Sequence, residues 1–269
     1  MSIKITSPQN PKIKLAVSLH KASVRKREGL FLIEGLREIR LAMQANYQFH
    51  TLFFCPSVAD VPQADSIIAG LAGQAEIIET PGNIFSRLTY RERSDGLLLV
   101  ARQKSLSLQN IHPGKLPLVL VVESVEKPGN LGAVLRTADA AGVGAVLVCN
   151  GITDIYNPNV IRSSLGTLFS NQVVCCSSEE AVKWLRSHNI RIFVTSLSAS
   201  KPYYKAGFNM PSAIVAGAEA SGVSATWQDN SDERIIIPMF GSADSMNVSA
   251  ATAIILYEAL RQRGFGFRE

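Results

Sequence analysis

The chain has 269 residues and a net charge of +5, and 46% of its residues are hydrophobic, ample for one large core or two ordinary ones. No apolar run reaches the roughly 18–20 residues of a membrane span, and the polar opening MSIKITSPQNPKIK has no export-signal core. Cys55, Cys149, Cys175 and Cys176 form no C-x-x-C pair, and His20, His50, His112 and His188 form no metal-ligand pair, so the composition points to a cytoplasmic protein with reduced thiols and no metal.

All of the net charge lies at the front: residues 1–104 hold 14 basic and 9 acidic side chains, while the remainder holds 13 of each. Residues 1–27 carry Lys4, Lys12, Lys14, Lys21, Arg25, Lys26 and Arg27 and no acid. A one-signed basic segment suits neutralisation of nucleic-acid phosphates, and equally a solvated terminus. No Phe, Tyr or Trp precedes Phe31, so the basic segment itself offers no such ring for base stacking. The stretch FLIEGLREIRLAMQAN (31–46) sets Leu36, Ile39 and Met43 at helical spacing with Arg37 and Arg40 turned away, which predicts an amphipathic helix. TLFFC (51–55), EIIET (76–80) and GLLLVA (96–101) read as strands, with a helix near 64–72. These elements make a small α/β domain over 1–103, and the Pro- and Gly-broken stretch 104–116 reads as an interdomain linker.

From Leu118 short apolar runs alternate with helical patterns. LVLVV (118–122), AVLVC (145–149), NQVVC (171–175), RIFVTS (191–196), AIVAG (213–217) and RIIIP (234–238) are strand candidates, and helices are predicted over 130–141, 158–168, 179–188 and 248–263. Strands apolar on both faces, joined by helical crossovers, make a doubly wound, mainly parallel sheet over 117–269. Ligands of such sheets bind beyond the carboxyl ends of the strands. The final helix is apolar nearly all round, so it packs against something beyond its own sheet, and a subunit interface is one candidate.

Three strand ends carry unusual residues. After the first, PGNLGAVLRTADAAGV (128–143) runs from a tight loop into a helix bearing Asn130 and, among Ala133, Val134, Leu135 and Ala138, the charged Arg136. A guanidinium in that company needs a partner, either a ligand or a structural ion pair. After the fifth, VAGAEASGVS (215–224) flanks Glu219 with Gly217 and Gly222, where the acid serves either a ligand or a helix N-terminus. After the sixth comes IPMFGSADSMNVSAATAIILYEALRQR (237–263), a polar loop entering the last helix with Asn247 or Ser249 as cap.

Taken together, these segments resemble the SpoU–TrmH family of SPOUT methyltransferases. The first matches the family's first motif at Asn130 and Arg136, the second matches at Gly217 and Glu219, and the third matches at Ser245, Asn247 and Ser249. NPNVIRSSLGTLF (157–169) is also similar, and FLIEGLREI with DGLLLVA resembles, more loosely, the family's RNA-binding domain. The chain departs from the pattern at Lys127, Ala220, Met246 and Asp95, where the family usually has an acid, Gly, Leu and Gln.

The resemblance implies a C-terminal SPOUT domain ending in a deep trefoil knot, which composition would not lead one to posit, and a homodimer formed through that domain. It implies S-adenosylmethionine as cofactor, contacted around Thr195, Gly217, Ile237 and Met246, and methylation of a ribose 2′-hydroxyl in structured RNA; the separate basic N-terminal domain places ribosomal RNA ahead of the alternative, transfer RNA. Arg136, Asn130, Glu219, Ser245 and Asn247 become the catalytic candidates, and Lys12, Lys14, Arg25, Lys26, Arg27 and Arg37 the RNA contacts. Because a guanidinium gives up a proton reluctantly, Arg136 is expected to bind phosphate and steady the oxyanion rather than act as base. Two rivals compete. A nicotinamide enzyme would need G-x-G-x-x-G and an acid ending the second strand, where this chain has G-x-x-G and Cys149–Asn150. A catalytically silent RNA-binding factor of the same fold would not need Arg136, Glu219 and Asn247.

Overall fold

The computed structural model describes residues 3–59, 61–90, 94–218 and 222–264. They fall into two compact units, residues 1–104 with 154–170, and residues 105–153 with 171–269. The first stretch of chain runs β1 (Ile3–Lys4), α1 (Pro11–Ser18), α2 (Ala22–Glu28), β2 (Leu30–Glu34), α3 (Leu36–Gln44), β3 (Phe49–Phe54), α4 (Val61–Leu71), β4 (Glu76–Glu79), α5 (Gly82–Leu88) and β5 (Leu97–Arg102). It continues with β6 (Leu118–Glu123), α6 (Pro128–Ala140), β7 (Ala145–Cys149), α7 (Pro158–Ser163), β8 (Val173–Cys176), α8 (Ser178–Ser187) and β9 (Arg191–Thr195). It ends with β10 (Lys201–Pro202), β11 (Ser212–Ala216), α9 (Ala225–Asp229), β12 (Glu233–Ile236) and α10 (Val248–Gln262).

The first unit is built on a mixed sheet, order β1-β4-β3-β5-β2, in which β5 runs antiparallel to both neighbours. The single helix predicted over 31–46 is corrected here. Phe31, Leu32 and Ile33 are buried on both faces of β2, and the chain turns at Gly35, φ 110°, before the helical stripe begins. Within the basic segment Pro11–Ser18 and Ala22–Glu28 form two short helices. Arg25 is corrected most sharply. It is 1% exposed, its Nε donates to Asp154 at 2.7 Å, and its Nη1 donates to the carbonyls of Leu19 and His20 at 2.8 and 2.9 Å. Removing one partner of such a pair costs about 3–5 kcal/mol, so Arg25 holds the unit together and is not an RNA contact.

Asp154–Ser170 belongs to this first unit. Tyr156 and Phe169 join Phe31 and Tyr47 in a ring cluster, with centroid separations of 4.4 Å for Phe31–Tyr156 and 5.1 Å for Tyr47–Phe169. The Tyr156 hydroxyl also donates to the Lys104 carbonyl at 2.6 Å. The helix predicted over 158–168 stops at Ser163, because Leu165 takes the left-handed φ of 53°.

The second unit has a seven-stranded sheet, order β10-β12-β9-β11-β6-β7-β8, with every pairing parallel. β6, β7 and β11 are buried along their whole length, which is why they read as unbroken apolar runs. Val119, Leu147, Val194, Val215 and Trp227 lie in its core, and Ile111, from the stretch that reads as linker, packs there too. α10 packs on α6 and β11 through Val248, Ile255, Leu256 and Ala259, leaving Tyr257 44% exposed. The four cysteines are free thiols. Cys149 and Cys176, in register on β7 and β8, lie 3.9 Å apart, and this contact together with burial pushes the Cys149 thiol far up. Among the described residues no helix is long and apolar enough to cross a membrane, and no His, Cys, Asp and Glu cluster could hold a metal.

Candidate active site

Beyond the carboxyl ends of β9, β11 and β12 lies a cleft of about 370 Å³, walled by the loops that leave those strands and by the start of α10. Thr195, Gly217, Ile237 and Met246, singled out in the sequence, all line it, as does Ser245. Val223, Gln228 and Met239, which sequence reasoning did not select, are among the other lining residues. The Thr195 hydroxyl donates to the Val215 carbonyl at 3.0 Å, and the Ser196 amide donates to the Ile235 carbonyl at 3.0 Å, so the three strand ends are tied together at the cleft. Gly217 is required by close approach: a Cβ there would stand 2.0 Å from the Gly222 carbonyl oxygen. Ala218 and Gly222 are bridged, and both line the cleft with Gly217.

At the rim, the first and third motifs meet. Asn247 caps α10, its Oδ1 accepting from the Ser249 amide at 3.0 Å, while its Nδ2 donates to Oδ1 of Asn130, in the first turn of α6, at 3.2 Å. Arg136 lies farther along α6. Leu131, Val134, Leu135 and Ala138 face inward, but Arg136 is exposed and forms no ion pair or hydrogen bond with a described residue, so the apolar company read from its sequence neighbours is on the opposite face. Glu219 lies outside the described residues.

Glu123, which ends β6, went unselected in the sequence and proves to be the hub behind the cleft. Only 2% exposed, its carboxylate accepts from the Ser224 amide at 2.7 Å, the Ser224 hydroxyl at 2.8 Å, the Ser178 hydroxyl at 2.6 Å and Asn150 Nδ2 at 3.2 Å. Ser224 closes the Gly217 loop, so Glu123 fixes its far end. The one available signal was an acid terminating an otherwise apolar run.

The basic candidates separate in the same way. Lys14, Lys26 and Arg37 are exposed, and Arg27 is exposed beside Glu28. Lys12 is paired with Glu76, and Arg25 is interior.

Comparison with known proteins agrees with this geometry. Residues 117–257 match the SpoU rRNA Methylase family, and residues 10–99 match an MRM3-like substrate binding domain. The 23S rRNA (guanosine(2553)-2'-O)-methyltransferase RlmP of Bacillus subtilis is 28% identical over 94% of this chain and 98% of its own. The 23S rRNA (guanosine-2'-O-)-methyltransferase RlmB of Escherichia coli is 34% identical over 86% of this chain and 98% of its own. Among solved structures, an RNA 2'-O ribose methyltransferase superposes with a TM-score of 0.84 at 39% identity, covering 97% of this chain and 99% of the other. The AdoMet-bound rRNA methyltransferase of Sinorhizobium meliloti gives 0.89 at 26% identity, covering 96% and 97%. Matched over more than half its length by that family's pattern and along nearly all of it by such relatives, the chain belongs to the SpoU rRNA methylase family.

Proposed function

We propose that this protein transfers a methyl group from S-adenosylmethionine to a ribose 2′-hydroxyl in ribosomal RNA, as a cytoplasmic homodimer. The observation that carries the reading is the junction at Asn247: Met246 beside it lines the cleft, while its own amide reaches Asn130 on α6. The cleft fits the cofactor. Ala216, Val223, Ile235 and Met246 offer apolar walls to an adenine ring, the Gly217 loop offers backbone, and the hydroxyls of Ser196, Ser198 and Ser245 meet a polar tail.

Bound S-adenosylmethionine supplies an electrophilic methyl carbon. A ribose hydroxyl is a weak nucleophile, so the chain's own groups align it and steady the charge it gains. Asn130 orients the ribose, Arg136 binds phosphate and steadies the oxyanion, Asn247 and Ser245 hold the rim before α10, and the proton leaves to solvent or phosphate. The loops after Thr195, Gly217 and Ile237 form the trefoil knot, a reading supported by β11 lying between β6 and β9. The exposed Tyr257 on α10 supports a subunit interface along that helix.

The first unit, residues 1–104 with 154–170, serves as the RNA-binding domain. Neutralising Lys14, Lys26, Arg27 and Arg37 together should weaken RNA binding and flatten its salt dependence by about 0.7–0.9 for each phosphate left without a cation. Titration at several salt concentrations checks this, and an unchanged slope would remove these side chains from the interface.

The reading is tested with labelled cofactor, purified protein and ribosomal RNA from cells lacking the gene. A 2′-O-methyl group blocks alkaline cleavage of the adjacent linkage, so the label should appear in alkali-resistant dinucleotides. Label recovered in mononucleotides would mean that a base, not a ribose, is methylated.

A further inference from the structure

We propose that Tyr90, His20 and Arg162 in the first unit form a binding site for an unpaired base of the RNA substrate. The proposal rests on the RNA reading above and adds an interaction that the basic side chains do not supply. Tyr90 follows α5 and keeps 52% of its surface in water. It lies nearly parallel to the His20 ring, with centroids 6.3 Å apart and planes at 26°. The Tyr90 backbone amide donates to Glu34 Oε2 at 2.8 Å, and the His20 ring is anchored by contact of its Nε2 with the Leu88 carbonyl at 2.9 Å.

The same depression is lined by Arg162, in the last turn of α7, which is exposed and has no ion pair with a described residue. Among the described residues that line it the one acid, Glu34, is 9% exposed and accepts the Tyr90 amide. The surface therefore presents an aromatic face beside a positive charge. A flat ring with a cation at its edge is the platform on which bases of single-stranded RNA stack, with the cation taking the adjoining phosphate. Paired bases are already stacked on one another and cannot use it. The discrimination is thus for loops, bulges or ends. No local pattern hints at this site, because the rings lie 70 residues apart and Arg162 belongs to a distant segment.

The test compares full-length protein and its variants on an oligoadenylate of about twelve nucleotides and on a duplex of the same length. Tyr90→Ala should weaken single-strand binding about tenfold and change duplex binding less than about twofold. Tyr90→Phe should restore it, Tyr90→Leu should not, and Arg162→Ala should lower the salt slope by about one. Cofactor affinity serves as the check on folding and should be unchanged. Equal losses on single strand and duplex, rescue by leucine, or no change on either RNA would overturn the proposal. If instead the wild-type protein binds no RNA and methylates none, it is the parent reading that fails. A wild-type enzyme active on RNA but insensitive to Tyr90 would sink this site alone.

Discussion

Replacing Gly217 by alanine is expected to lower S-adenosylmethionine affinity at least about a hundredfold while leaving RNA binding within about twofold. The added Cβ would stand 2.0 Å from the Gly222 carbonyl oxygen, 2.1 Å from its carbon and 2.6 Å from the Val223 amide nitrogen. All three are backbone atoms, so no side chain can swing aside. Their own freedom is limited, because the next residue, Ser224, is held by two hydrogen bonds to the buried Glu123. The strain must therefore open the loop on its cleft side, where Gly217, Ala218, Gly222 and Val223 form the wall. Gly207→Ala is the matched comparison: a Cβ there meets nothing within 4 Å, and binding should be unaffected. Calorimetric titration of both variants with the cofactor reads the difference. Wild-type affinity in Gly217→Ala would mean that this loop does not form the cofactor wall.

How much of this was legible depended on whether the information was local. Strands β6, β7, β9 and β11 could be read to within a residue or two, because burial on both faces leaves an unbroken apolar run with helices between. The four cleft residues came from the family resemblance, and each stands at or just beyond a strand end or in the polar loop before α10. Where two periods abut, reading along the line failed. Phe31–Ile33 and the stripe Leu36, Ile39, Met43 merge into one apolar pattern, and only the backbone at Gly35 separates strand from helix. Charge counting failed differently. Arg25 adds to a one-signed segment in the sequence, but on α2 it faces inward to Asp154, 129 residues later. Glu123 escaped notice because its partners Ser178 and Ser224 lie 55 and 101 residues away. Arg136 was misjudged by its neighbours in sequence, which at 100° per residue are not its neighbours on the helix surface.

That exposed position makes Arg136 the most incisive residue to alter. Arg136→Ala should reduce single-turnover methyl transfer about 100- to 1,000-fold, the loss found when a donor to developing negative charge is removed. Cofactor affinity should stay within about twofold, because Arg136 does not line the cleft. Arg136→Lys tests the nature of the interaction. A lysine keeps the charge but not the two-pronged donor geometry suited to phosphate, so it should recover only part of the rate. Asn130→Ala should fall between, since its loss also removes the acceptor for Asn247 Nδ2 at the rim. Should cofactor affinity collapse with the rate in Arg136→Ala, the side chain would belong to the cofactor wall and not to the substrate. With affinity intact and transfer abolished, α6 presents the substrate-facing charge and the loops beyond β9, β11 and β12 hold the methyl donor, with Asn130 and Asn247 fixing one against the other.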